Sequence, residues 1–115
     1  MNTVDEILSL LASEQRRNAL YYLRQCDGPV PVADVAAAVA DEIADRDTEE
    51  RELHERLRVE LRHVHLPKAT QLDCVRYDPG LEMVEFGTPS QLLTDVLDTL
   101  EALDQSPAQS GTVTQ

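Results

Sequence analysis

The positively charged side chains of this chain are concentrated in one segment. The formal net charge is −12, yet six of the ten Lys and Arg residues lie between positions 51 and 76, together with four acidic residues. Four basic and eighteen acidic residues remain for the other segments. Arginine and lysine bind phosphate oxygens and the acceptor edges of guanine. Cations gathered in this way in so acidic a chain favour contact with nucleic acid.

The candidate DNA-contacting residues share one property: we expect them on the outward side of a basic helix or just beyond it. They are Arg56, Arg58, Arg62, His63, His65, Lys68 and Arg76. The alternative is that they are ordinary solvated charges. Two arginines have a glutamate four residues later, Arg51 with Glu55 and Arg56 with Glu60, and such helical pairs contribute roughly a few tenths of a kcal/mol each.

Metal binding and catalysis have less support in the sequence. His63 and His65 are two positions apart, so they do not face the same way on a helix, and no cysteine or carboxylate joins them at ligand spacing. A metal site between subunits, or a redox response through Cys74, remains open. There is no glycine-rich phosphate loop, nucleophile elbow or HExxH motif. We therefore expect no cofactor and no enzyme. Cys26 and Cys74 are expected to be small buried apolar residues.

Five segments have the apolar periodicity of helices, and the fourth is the basic one. They cover residues 3–11, 13–26, 32–44, 48–66 and 88–104, with Thr3, Ser13, Thr48 and Thr88 as candidate N-caps and Pro89 at the first position of the last helix. In the fourth helix an apolar stripe is expected on Leu53, Leu57, Leu61 and Val64. Leu66 lies off that stripe, and Pro67 predicts a kink or a new helical start.

A hairpin follows the basic helix. Residues 74–78 and 82–86 alternate as strands do, and Asp78-Pro79-Gly80-Leu81 between them is a strong turn signal. Pro29 and Pro31 are expected to bracket a short extended link between the second and third helices.

The last helix has an apolar face of Leu93, Val96, Leu100 and Leu103. It could pack on its own domain or pair with its copy in a homodimer, with the first helix completing that interface. We therefore divide the chain into a winged-helix domain at 1–87, a C-terminal helix at 88–104 and a disordered tail at 105–115.

The order of elements predicts a mainly α (α+β) fold, a winged helix-turn-helix with a two-stranded β-hairpin wing and a dimerisation-type C-terminal helix. The stretches LASEQRRNALYYLRQCDGPVPVADVAAAVA and VELRHVHLPKATQLDCVRYD resemble a haloarchaeal winged-helix family of uncharacterised proteins related to ArsR-type regulators, over about residues 5–87. The resemblance implies a transcriptional regulator. Two positions depart from the pattern: Ala69 stands where a leucine is usual, and Asp73 where a glycine is usual. The cysteines of metal-sensing members are not matched.

The composition indicates the environment in which the protein works. A pI near 4.4 with dispersed carboxylates is typical of a halophilic protein surface. No apolar run approaches the roughly 18 residues of a membrane span, and the N-terminus lacks a cationic start, so we expect a cytoplasmic protein. The sequence thus predicts a homodimeric regulator that binds double-stranded DNA. The alternative is a winged-helix protein–protein interaction module without DNA binding.

Overall fold

The computed structural model describes residues 3–43 and 49–105, which form helices and a small antiparallel sheet. In chain order the elements are α1 (Val4–Leu11), α2 (Glu14–Gln25), β1 (Val30–Pro31), α3 (Val32–Ile43), α4 (Glu50–Glu60), a π-helical turn (Leu61–His65), α5 (Leu66–Gln71), β2 (Val75–Asp78), β3 (Met83–Phe86) and α6 (Gln91–Asp104). This part of the chain is therefore mainly helical, within the α+β class. None of its helices is long and apolar enough to cross a membrane.

In the described part of the chain, polar side chains cap three helices. Thr3 and Glu6 form a capping box at α1, and the Ser13 hydroxyl accepts from the Arg16 amide at α2, as predicted. The prediction for the last helix was wrong: α6 begins at Gln91, and its cap is Ser90, whose hydroxyl accepts from the Leu93 amide at 3.2 Å. Ser90 has the extended backbone of a cap, so the helix starts two residues later than the Thr88–Pro89 signal indicated. The turn predicted at 45–48 lies outside the described residues.

A π-helical turn changes which side chains of the basic helix are buried. The Leu66 amide donates to the Leu61 carbonyl, five residues back instead of four. This extra residue places Leu66 on the same side of the helix as Leu61. Both leucines are buried, whereas Val64 is 51% exposed. The predicted stripe is therefore correct at Leu53, Leu57 and Leu61 and wrong at Val64. The irregularity expected near Pro67 is present as a change of helix type, with Pro67 in the first turn of α5.

Among the described residues the predicted hairpin is present as β2 and β3, and a third strand, β1, joins it to make a three-stranded sheet. β3 lies between β1 and β2, antiparallel to both. The link predicted around Pro29 and Pro31 forms the edge strand, where Val30 pairs with Val84. An edge strand tolerates a proline because one side of it needs no amide donor. Both hairpin strands begin one residue later than predicted.

The segment after α5 returns tightly to the sheet. Asp73 has a φ of 61°, the left-handed conformation for which a glycine is usual. The Gly87 amide donates to the Cys74 carbonyl at 2.7 Å, and a Cβ on Gly87 would lie 2.4 Å from the Asp73 carbonyl oxygen. Gly87 is thus needed for close approach of two backbone segments. Ala69, which stands where a leucine is usual in the family resembled, is also buried in the core.

Helix α6 packs against α2 of its own chain. Leu93 and Leu97 are fully buried, Val96 and Leu100 are half-buried against the core, and Leu103 is exposed. Ion pairs of α2 arginines with α6 acids hold the two helices together: Arg17 with Asp104, and Arg24 with Asp98 and Glu101. Of the face predicted for a dimer, Leu93 is therefore unavailable to a partner. Leu97, which the spacing did not single out, is buried in the core together with Leu93.

The two cysteines differ in burial. Cys74 is fully buried, and burial raises the pKa of its thiol to about 12. Cys26 is only half-buried, contrary to expectation, because it follows the end of α2; its thiol donates to the Tyr22 carbonyl.

Candidate functional site

Arg58 and Arg62 both face one carboxylate of the hairpin. They lie four residues apart, on α4 and the π-helical turn. Arg58 Nη2 donates to Glu82 Oε1 at 3.0 Å, and Arg62 Nε lies 3.9 Å from the same oxygen. All three side chains remain about a third exposed. The hairpin is thereby attached to the outward side of the helix, and a pair of guanidinium groups is brought to the junction.

The backbone of Glu82 is unusual and firmly held. Its φ of 52° lies in the left-handed region, which non-glycine residues rarely adopt. Its carbonyl accepts from the Val32 amide at 2.9 Å, the first amide of α3, and the preceding Leu81 amide donates to Asp78 Oδ1 at 3.1 Å. The hydrogen bond from Arg58 lowers the pKa of the Glu82 carboxyl and raises that of the guanidinium. Glu82 therefore connects the hairpin with both α3 and α4.

Helix α4 carries acids beside its arginines. The predicted pairs of Arg51 with Glu55 and Arg56 with Glu60 do not form; instead Glu55 lies 3.8 Å from Arg58. Among the described residues, Arg51 and Arg56 have no carboxylate at ion-pair distance. The charged residues of α4 are the acids Glu50, Glu52, Glu55 and Glu60 and the bases Arg51, Arg56 and Arg58. This helix is close to neutral, although the chain's cations are concentrated here.

His65 does not point outward, contrary to the sequence prediction. Its ring lies between α2 side chains, with Nδ1 3.3 Å from Arg16 Nη1 and Nε2 3.2 Å from Gln15 Oε1. Arg16 can only donate, so Nδ1 accepts and Nε2 carries the proton that Gln15 accepts. Burial, and then the charge of Arg16, lowers the pKa of His65. His65 is therefore a structural residue whose surroundings favour the neutral ring. The π-helical turn contributes to this orientation because it rotates the residues after Leu61.

The remaining predicted contact residues do not form one patch. His63 is exposed on the π-helical turn. Lys68 lies on α5 beside Asp5, Glu6 and Ser9 of α1. Arg76 on β2 faces the cross-strand Glu85 at 3.3 Å and also donates to the Phe86 carbonyl. The structure thus groups Arg58 and Arg62 closely, leaves Arg56 and His63 exposed on the same helical segment, places Lys68 near the acids of α1, and pairs Arg76 with Glu85.

Two arginines in the first of the two stretches that carry the resemblance, Arg16 and Arg17, have a structural role. Arg16 donates to the carbonyls of Ser9 and Leu10, and Arg17 donates to that of Leu11. These are carbonyls of the last turn of α1, which have no partner within the helix. An arginine pair just after a short helix, as in residues 16 and 17, is the signal that could have indicated this cap.

Comparison with known families gives one match. The domain of unknown function DUF7344 matches residues 8–85, which is more than half of the chain. The chain belongs to this family. No curated protein and no solved structure matches the sequence.

The DUF7344 match covers the part of the chain described above as the candidate site. Residues 8–85 include α2, the sheet down to Glu85, the basic helix and Glu82, and they leave out α6. The family description assigns no activity. Among the described residues, no group of three His, Cys, Asp or Glu side chains could hold a metal ion.

Proposed function

We propose that the chain is a winged helix-turn-helix domain that binds double-stranded DNA as a transcriptional regulator. The order of elements supports this proposal. A helix (α2), an edge strand (β1), two packed helices (α3 and α4) and a hairpin follow one another, and the sheet has the order β1-β3-β2. In this assignment α4 with the π-helical turn is the recognition helix, and the loop between β2 and β3 is the wing.

One observation carries the proposal: Glu82 joins the hairpin to the arginine-bearing side of α4. The helix and the hairpin therefore meet at Arg58 and Arg62, and Arg56 and His63 are exposed on the same helical segment. An α-helix fits the major groove, while a neighbouring loop can reach the backbone or the minor groove. We assign Arg56, Arg58 and Arg62 to phosphate or guanine contacts, with Lys68 and Arg76 as peripheral cations.

A homodimer would match two-fold symmetric DNA sites. Exposed apolar side chains on the two terminal helices support it: Val4 and Leu8 on α1, and Leu92 and Leu103 on α6. Each pair lies on the surface of a helix whose other side is already packed in the core. We therefore assign the dimer contact to Leu103 with half-buried Val96 and Leu100, and not to Leu93.

Two measurements test the DNA proposal. Binding sites are first selected from a random-sequence duplex pool, and the affinity for them is then measured by fluorescence anisotropy over a range of KCl concentrations. Arg56→Gln and Arg62→Gln should weaken binding. They should also make the negative slope of log K against log salt less steep, by about 0.9 for each phosphate contact removed. Ala102→Glu on exposed α6 changes the net charge by the same amount and should leave the slope unchanged. Equal behaviour of all three variants would refute the assignment.

A second candidate, a protein-binding module, is favoured by the acids of α4. Glu52, Glu55 and Glu60 share that helix with the arginines, and Val59 among them is 43% exposed. A DNA surface has no need for an exposed apolar side chain between acids. Replacing Val59 with a photoreactive p-benzoylphenylalanine separates the two functions in cells. Crosslinks to DNA support the regulator, and crosslinks to one defined protein in place of DNA support the interaction module.

A further inference from the structure

Glu82 presents its carboxylate to Arg58 and Arg62 in a way that a phosphate group could reproduce. One oxygen accepts from Arg58 Nη2 and lies near Arg62 Nε. Among the described residues, Arg62 donates no hydrogen bond, and the Nε atoms of both arginines lack an acceptor. The donors of this pair thus exceed what one carboxylate satisfies. A phosphate group carries more acceptor oxygens than a carboxylate and forms charge-assisted, often bidentate, hydrogen bonds with arginine.

The backbone of Glu82 restricts what can move. It is fixed by the hydrogen bond to Val32 and by the turn at Asp78, so the residue keeps its left-handed conformation whether or not its side chain is engaged. The side chain is a third exposed and can rotate into solvent without unfolding the hairpin. Keeping a glutamate at a conformation that favours glycine indicates that the carboxylate has a use at this position.

We propose that Glu82 is an internal competitor for the phosphate-binding pair Arg58 and Arg62, and that a DNA phosphate displaces its carboxylate when the domain binds. This inference rests on the proposed DNA-binding function and adds its regulation. With Glu82 engaged, the two arginines with Glu55 and Glu82 sum to zero charge; with Glu82 displaced, DNA meets two arginines and one acid. Every duplex must overcome this competition. Binding therefore becomes weaker on non-specific duplex, where phosphate contacts supply nearly all of the affinity.

Glu82→Gln tests the competition, and Glu85→Gln is its matched control. Both substitutions remove one negative charge from the same hairpin, but Glu85 faces Arg76 across the strands and not the Arg58–Arg62 pair. An exposed ion pair is weak, so Glu82→Gln should tighten binding to non-specific duplex by about 2- to 5-fold more than Glu85→Gln does. In an Arg58→Gln, Arg62→Gln background the extra gain should disappear. Circular dichroism checks that each variant folds.

The outcomes separate this inference from the function on which it rests. If the wild-type chain binds DNA and Glu82→Gln tightens it no more than Glu85→Gln, competition is overturned and DNA binding stands. If only Glu82→Gln binds measurably, both are supported. If neither the wild-type chain nor Glu82→Gln binds any duplex, the arginine pair is no phosphate site, and both proposals are overturned.

Discussion

Replacing Leu66 and Val64 by alanine tests the π-helical turn, because a regular helix and a π-helical turn predict opposite results. On a regular helix Val64 continues the stripe of Leu53, Leu57 and Leu61 into the core, and Leu66 lies off it. In the structure Leu66 is 2% exposed and Val64 is 51% exposed. The two substitutions lie two positions apart in the same helical segment, so each serves as the control for the other.

The expected magnitudes follow from burial. Leu66→Ala removes three carbon atoms from a closed core site and should lower the free energy of unfolding by about 2–5 kcal/mol. Val64→Ala removes two methyl groups that are half in water, and the better helix propensity of alanine offsets part of that loss. Its net effect should be within about 0.5 kcal/mol. Leu66→Val should fall between them, at a loss of about 1 kcal/mol.

Urea denaturation followed by circular dichroism measures these differences. Similar m values for the variants would show that the change lies in stability and not in the extent of unfolding. The π-helical register is refuted if Val64→Ala costs more than Leu66→Ala. If the full Leu66→Ala loss prevents folding, the order of Leu66→Val and Val64→Ala decides the same question.

Three further predictions concern single residues. Asp73→Gly should raise the free energy of unfolding by about 0.5–1 kcal/mol in urea denaturation, because glycine adopts the φ of 61° without strain; a loss would contradict that conformation. Gly87→Ala should cost about 1–3 kcal/mol because its Cβ would meet the Asp73 carbonyl, whereas Gly28→Ala, with nothing within 4 Å, should be nearly neutral. Stability should fall as pH drops below about 6.5, because the unfolded His65 ring binds a proton more readily there than the folded ring, whose pKa is lowered. His65→Gln should remove that component, and the same pH profile in wild type and variant would contradict the lowered pKa of the half-buried ring.

The sequence predicts what depends on near neighbours along the chain. The caps at Thr3 and Ser13 and the turn after Asp78 are local patterns of three or four residues, and the structure has all three. The strand β1 escaped prediction because it has only two residues and exists through pairing with β3, more than fifty positions later. The π-helical turn escaped because a fixed helical period was assumed where one extra residue shifts it.

The candidate site depends on contacts that sequence spacing does not reveal. Arg58 meets Glu82 24 positions away, and His65 meets Arg16 49 positions away. Helical spacing predicted Glu55 for Arg51, but Glu55 lies beside Arg58. The sequence therefore indicates which segment carries the cations, and the fold decides which of them have acidic partners.

This distinction decides how the basic segment should be understood. In a chain with 22 acidic residues and ten lysines and arginines, most cations will meet a carboxylate after folding, so a local excess of arginine is weak evidence for nucleic acid. An arginine held by a carboxylate that can rotate away differs from one whose carboxylate is also held by a second donor. Arg17 is held by Asp104, whose carboxylate also accepts from Tyr21, so this ion pair joins α2 to α6.

Arg58 and Arg62 share a partially exposed partner at the edge of the hairpin, and Arg56 has none at ion-pair distance among the described residues. In the proposed function, DNA phosphates take the place of such exchangeable carboxylates, and the comparison of Glu82→Gln with Glu85→Gln measures that exchange directly.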